Sequence, residues 1–202
     1  MATTVPQVRV WAVRHGESVW NRDGRLQGQS PHAPGLTAAG VAQAEATAAR
    51  LAACGARVVL TSGLRRAHQT GSIIARALGV PLVVEPRLVE RGLGVAEGVL
   101  ARGYPLDELG VAGEVVLDPD AAPPGGESVR ALLARVAGLL DELANGHLEG
   151  SGGVVLSTHG GVVRAVSAQA AGRAKEPVRW PAVVNGSVLE VTLHPGARRG
   201  GR

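Results

Sequence analysis

The chain has 202 residues, 45% of them hydrophobic and 19% charged, with a formal net charge of +4. That length and mix suit one sizeable buried core and exclude a chain disordered throughout. No apolar run reaches the roughly 18 residues that span a bilayer, the single cysteine, Cys54, has no intrachain partner, and Arg198, Arg199 and Arg202 in the last five residues carry most of the net charge, so a membrane protein, a disulfide scaffold and a nucleic-acid binder are all poorly supported. Trp11, Trp20, Trp180 and Tyr104 are the only aromatics besides histidine, too few for a base-stacking surface. The N-terminus lacks a charged segment followed by an apolar one, so the expected location is the cytoplasm.

Residues 8–13 are apolar and β-branched and predict a first strand. A Gly- and Pro-rich loop follows over 15–36. Thr37 is placed to cap a long Ala-rich helix that stops near Cys54 and Gly55. A second strand over 57–61, a helix over 64–78 closed by Gly79 and Pro81, and a third strand over 82–84 come next. Residues 92–126 carry weak periodicity and read as a small cap excursion, with one short helix near Leu106. From 127 to 145, Val129, Leu132, Leu133, Val136, Leu139, Leu140 and Leu143 fall on one helical stripe. A buried strand over 153–157, a helix over 161–171 and closing strands at 183–184 and 188–193 complete the pattern, and the tail from Pro195 reads as disordered. Strands alternating with helices predict an α/β fold, a three-layer α/β/α sandwich on a mainly parallel sheet. Nothing divides the chain, so a single domain is expected over 1–194.

In such sheets, sites gather at the carboxyl ends of strands. The first strand ends in Arg14-His15-Gly16-Glu17, the second in Thr61-Ser62 ahead of Arg65-Arg66, and the late buried strand in Thr158-His159-Gly160-Gly161. Two histidines and at least two arginines thus converge on one face. Arginine binds phosphate oxygens bidentately and keeps its charge. Helix N-termini after Ser62 and His159 offer N–H groups to an anion, and a neutral imidazole can attack phosphorus to give a phosphohistidine. Positive charge and positioning, which phosphoryl transfer chiefly needs, are then available without a metal. A carboxyl must protonate the leaving alkoxide. Beside a phosphate dianion, like-charge repulsion helps it keep that proton. Glu90, after the third strand, is the candidate, with Glu17 and Glu97 as nearby alternatives.

These motifs resemble the histidine phosphatase superfamily, which includes the cofactor-dependent phosphoglycerate mutases. The resemblance rests on Arg14-His15-Gly16-Glu17-Ser18-Val19-Trp20-Asn21, Leu26-Gln27-Gly28, Leu36-Thr37 with Gly40 and Gln43-Ala44, Ser62-x-Leu64-x-Arg66-Ala67-x-Gln69-Thr70, Leu88-x-Glu90 with Glu97-Gly98, Pro124-Gly125-Gly126-Glu127-Ser128, and Ser157-x-His159-Gly160-Gly161. They run in family order along nearly the whole chain. The resemblance implies that His15 is the phosphorylated nucleophile. Arg14, Arg66 and His159 clamp the phosphoryl group, Asn21 and the Gly160 N–H add hydrogen bonds, Gln27 and Gly28 line the pocket, and Glu90 is the acid and then the base. It implies no cofactor, and a small phosphomonoester as the substrate.

Three departures bear on the substrate. Residues 30–37 are altered and look longer than the family pattern, Ala96 replaces an aromatic before Glu97-Gly98, and Tyr104 is the one aromatic between Gly98 and Pro124. That stretch also carries one arginine, Arg102, and no lysine. Little positive charge is therefore expected outside the phosphate clamp, which favours a phosphatase over a phosphoglycerate mutase. A non-catalytic phospho-ligand binding module would need the fold without the full set of His15, Arg14, Arg66, Glu90 and His159. An edge strand leaves room for a homodimer.

Overall fold

The alternating pattern is realised as a five-stranded sheet flanked by helices in a computed structural model, which describes residues 7–102, 119–146, 152–172 and 182–195. The strands are β1 (Val8–Arg14), β2 (Ala56–Thr61), β3 (Leu82–Val84), β4 (Gly153–Thr158) and β5 (Val188–Leu193), in spatial order β3-β2-β4-β1-β5. β1 to β4 are mutually parallel, and β5 runs antiparallel to β1, with Val188 opposite Val13 and Leu193 opposite Val8. The helices are α1 (Val19–Arg22), α2 (Ala38–Leu51), α3 (Arg65–Leu78), α4 (Val129–Ala144) and α5 (Gly160–Ala170).

Successive strand residues face opposite ways, and this sheet buries both faces. On one, Val10, Ala12, Val154 and Leu156 pack with Leu132, Leu139 and Val166 of α4 and α5. On the other, Trp11, Val13, Val59 and Val155 meet Ala48, Leu51 and Ile74 of α2 and α3. The uninterrupted apolar runs of β1 and β4 are the signature of strands covered on both sides. Capping fixes where the helices begin. Thr37 Oγ1 accepts the Gly40 N–H at 3.0 Å, and Ser128 Oγ accepts the Ala131 N–H at 3.1 Å. Each such cap contributes about 1 kcal/mol.

Some expectations need correction. Residues 183–184 join no strand; the Val183 carbonyl instead accepts a hydrogen bond from the Arg14 guanidinium. The 15–36 loop contains the single-turn α1, started by a capping box between Ser18 and Asn21. The described parts of the 92–126 excursion are irregular apart from one 3-10 turn, Gly94–Ala96. The helix expected near Leu106 and the tail after Pro195 lie outside the described residues. Among the described residues no helix is long and apolar enough to cross a membrane.

Candidate active site

Side by side, β1, β2 and β4 deliver their carboxyl ends to one edge of the sheet. His15 follows β1 directly, and its N–H donates to the Thr158 carbonyl at 2.9 Å. Two glycines let the turn after β1 lie against the first turn of α2. A Cβ on Gly16 would fall 2.1 Å from the Gly40 carbonyl oxygen, and one on Gly40 would fall 2.0 Å from that of Glu17. Any side chain at either position would push the His15 backbone away from α2.

The His15 ring is buried, and its Nδ1–H donates to the Gly16 carbonyl at 2.7 Å. That bond leaves the lone pair on Nε2, where it accepts from Arg66 Nε at 3.1 Å. Burial, with Arg66 and Arg14 close by, holds the His15 pKa well below 6.5, so the imidazole is neutral and nucleophilic at ordinary pH. His159 caps α5, with its ring centroid 5.2 Å from that of His15. Its Nε2 lies 2.9 Å from Ser62 Oγ. Burial, then Arg66, His15 and Arg14, hold it neutral as well.

Two rings kept neutral by the fold have a consequence for stability. Once unfolded, both titrate near pH 6.5, so unfolding takes up about two protons in the window below that pH. The stability they contribute is intact above pH 6.5 and declines as the pH falls toward their folded values, by about 2.7 kcal/mol per pH unit at the steepest point. Thermal unfolding between about pH 7.5 and 5.5 checks this. The wild-type Tm should drop across the window and the Tm of His15→Gln about half as steeply; a flat wild-type profile contradicts it.

Arg66 is almost completely buried on the first turn of α3, whereas its neighbour Arg65 is exposed. Its Nη2 donates to the Gly28 carbonyl at 2.9 Å. Burial brings its pKa down to about 10, against the opposing pull of Glu90, so it stays charged. Arg14 Nε and His159 Nδ1 are both buried with no hydrogen-bond partner among the described residues. Buried polar atoms left unbonded cost about 1–3 kcal/mol each. Two of them next to His15 mark a place built for an oxygen-rich ligand.

Glu90 stands across the site. Its carboxylate accepts the Gly161 N–H, at 3.1 Å to Oε1 and 3.2 Å to Oε2, and the Arg91 N–H at 2.9 Å. A Cβ at Gly161 would sit 2.3 Å from Oε1, so any side chain there would displace the carboxylate from this position. The Glu90 carbonyl is held from two sides, by Gln29 Nε2 at 2.7 Å and Arg135 Nη2 at 3.2 Å. Arg135 is in turn paired with Glu127, Nε to Oε1 at 2.7 Å and Nη2 to Oε2 at 2.9 Å. The Gly-Gly-Glu-Ser segment thereby fixes the loop that carries the carboxyl. The rival carboxylates are used elsewhere. Glu97 accepts the backbone N–H groups of Gln29 and Leu93, and Glu17 accepts the Thr37 hydroxyl.

These groups meet in a cavity of about 120 Å³ lined by His15, Arg14, Arg66, Asn21, Gln27, Gly28 and Glu90. Asn21 Oδ1 accepts from the Ser18 N–H at 3.1 Å and from Asn185 Nδ2 at 3.2 Å, and Gln27 Oε1 accepts from Ser18 Oγ at 2.8 Å. Gly160 is the first residue of α5 and lies beside Arg14, but the glycine on the cavity wall is Gly161. Leu26, Leu93 and Leu132 supply apolar wall, and Arg25, Arg91 and Arg164 complete it. These last three overturn the expectation of little positive charge beyond the clamp. They come from three separate segments, and only Arg164 left a trace in the sequence, as the single charged residue of an otherwise uncharged helix. No three His, Cys, Asp or Glu side chains gather to hold a metal among the described residues.

Comparison with known proteins agrees with this geometry. A family model described as histidine phosphatase superfamily (branch 1) matches residues 10–200. A mycobacterial glucosyl-3-phosphoglycerate phosphatase, solved in complex with VO3, superposes with a TM-score of 0.73 at 32% identity, covering 91% of this chain and 90% of that one. A structure titled mycobacterial hydrolase 1 gives a TM-score of 0.76 at 30% identity, over 91% of this chain and 88% of that one. The probable phosphoglycerate mutase GpmB of Cronobacter sakazakii is 36% identical over 135 residues, which is 66% of this chain and 62% of that protein. The chain thus spans about three-fifths of the length of that curated relative.

Proposed function

The chain belongs to the histidine phosphatase superfamily (branch 1), and from that membership and the site geometry we propose that it hydrolyses a small phosphomonoester, a sugar or sugar-acid phosphate, through a phosphohistidine on His15 without a metal ion. The observation that carries the reading is the His15 ring. It is neutral, fixed by Nδ1–H on the Gly16 carbonyl, keeps its lone pair on Nε2, where Arg66 Nε donates, and lies on the cavity wall.

In the first step Nε2 attacks phosphorus and the P–O ester bond breaks. Glu90 gives its proton to the departing oxygen. Arg14, Arg66 and His159 hold the phosphoryl oxygens, with Arg14 Nε and His159 Nδ1 gaining the partners they otherwise lack. The charge that a metal would supply comes from guanidinium groups. In the second step Glu90, now a carboxylate, takes a proton from water. That water attacks phosphorus, the P–N bond breaks, and inorganic phosphate leaves with His15 neutral again. The cytoplasm is the proposed location.

The similarity to a probable phosphoglycerate mutase keeps one competing fate in view, return of the phosphoryl group to a bound sugar acid. Phosphate release from a panel of phosphomonoesters with chelator present, and 3- to 2-phosphoglycerate conversion followed in parallel, separates the two. Chelator-resistant phosphate release is the expected result. Conversion without release would make the chain a mutase, and release that needs an added metal would overturn the metal-free mechanism.

A further inference from the structure

The turn that leads into β5 holds the end of β1 by more than a chain connection needs. The Ser187 N–H donates to the Val184 carbonyl at 3.2 Å, and Gly186 takes φ +71° between them. The Arg14 N–H donates to the Ser187 carbonyl at 3.1 Å, and the Gly186 N–H to the Arg14 carbonyl at 3.0 Å. Those two bonds continue the β1–β5 ladder past its last pair, Val13 and Val188. The side chain of Asn185 belongs to no ladder. Its Nδ2 donates to the His15 carbonyl at 3.0 Å and to Asn21 Oδ1 at 3.2 Å. The chemistry of the partners fixes both amides. The His15 carbonyl only accepts, so the Asn185 atom facing it is the NH2 group. The Ser18 N–H only donates, so the Asn21 atom facing it at 3.1 Å is the oxygen. One NH2 group thus spends its two hydrogens on the backbone of the nucleophile and on a side chain of the cavity wall. With its N–H on the Thr158 carbonyl and its carbonyl on Asn185, His15 has a side-specific anchor on both of its peptide planes. Asn21, held by Ser18 and Asn185, cannot turn its amide over without setting NH2 against NH2. An oxygen in place of that NH2 group would repel phosphoryl oxygens.

We propose that Asn185 is a positioning residue for phosphoryl transfer: its NH2 group locks the His15 backbone and the Asn21 amide to each other, so that the nucleophile and a donor to the phosphoryl oxygens share one geometry. This rests on the phosphatase reading and adds to it a residue that does not line the cavity. Composition hides the role, because an asparagine ahead of a glycine reads as a turn former and nothing more.

A double-mutant cycle tests the proposal, read as kcat/KM for p-nitrophenyl phosphate, which reports the step that phosphorylates His15. Far-ultraviolet circular dichroism on each preparation corrects for the folded fraction. Asn185→Ala should lose about 30-fold, inside the roughly hundredfold that a 1 Å misplacement costs. Asn21→Ala should also lose activity. Because Asn185 acts in part through Asn21, the double variant should lose at least about fivefold less than the product of the two single losses, a coupling of the size seen between residues in contact. The loss that remains on removing Asn185 in the Asn21→Ala background is the share carried by the His15 carbonyl. An asparagine that only stabilises the turn gives a different pattern. The two losses would then multiply. Thr47→Val, which removes the 2.8 Å hydrogen bond from Thr47 Oγ1 to the Gly186 carbonyl in the same turn, would cost as much as Asn185→Ala; on the proposal it costs several-fold less. Multiplying losses, an Asn185→Ala variant as active as the wild type, or equal losses in Thr47→Val and Asn185→Ala each overturn the proposal. Cleavage of the ester by the wild type reports on the phosphatase reading separately. If the wild type cleaves it and the losses multiply, only the positioning role is wrong; if the wild type cleaves no phosphomonoester, both fall.

Discussion

Replacing His15 by alanine is expected to lower turnover of every phosphomonoester by on the order of 10⁴-fold or more, with little change in fold. The size follows from removing the atom that forms the covalent intermediate. Without Nε2 the remaining clamp can bind and polarise the ester, but water must attack it directly, and the loss of about 10⁴ corresponds to about 5.5 kcal/mol of transition-state stabilisation. The loss should be independent of the leaving group, because attack at phosphorus is common to all substrates. The Gly16 carbonyl that accepts Nδ1–H and the Arg66 Nε that donates to Nε2 are each left without that partner. Far-ultraviolet circular dichroism and phosphate release measured on the same preparation separate lost chemistry from lost structure. A variant that keeps a tenth of the wild-type rate removes His15 from the mechanism.

Glu90→Gln gives the second large effect, and its signature is selectivity. A glutamine preserves size and can still accept the Gly161 and Arg91 N–H groups, but it has no proton to give. Alkyl phosphates, whose alkoxide leaves only when protonated, should lose about 10²- to 10⁴-fold in kcat. For p-nitrophenyl phosphate, whose phenolate departs unaided, the first step should be far less affected. Arg135→Met should show the same bias more weakly, because Arg135 holds the Glu90 carbonyl and is itself held by Glu127. Equal losses on alkyl and aryl esters in the first-turnover rate of alcohol or phenolate release, before the second step can limit, would mean that Glu90 shapes the site without acting as its acid.

Much of this arrangement is legible in the sequence because it is written in short-range patterns. β1 and β4 announce themselves as apolar runs too continuous for a half-exposed sheet. Each ends on a histidine-glycine pair, so the rule that sites gather at strand ends places His15 and His159 together before any contact is known. Arg66 is separable from Arg65 only through its motif, since one residue of helix phase decides which guanidinium is buried. Other features are set by tertiary contacts that no local pattern encodes. Val183 and Val184 have the composition of a strand, yet among the described residues they join none, and the Val183 carbonyl accepts from Arg14. The single-turn α1 is too short for a hydrophobic period, and its capping box lies within a loop rich in turn residues. Arg25, Arg91 and Arg164 are about 66 and 73 residues apart in sequence and line one cavity because the loop after β1, the segment after β3 and α5 come together there.

The central claim is the covalent bond between phosphorus and His15 Nε2. The most direct test mixes the protein with a ³²P-labelled phosphomonoester, quenches in base within the first turnover, and maps the label by peptide mass spectrometry. Label on the peptide carrying His15, stable in base, released by acid and absent from His15→Ala, is the expected result. Active protein that never acquires label, or label that is stable in acid or sits on another residue, would contradict it.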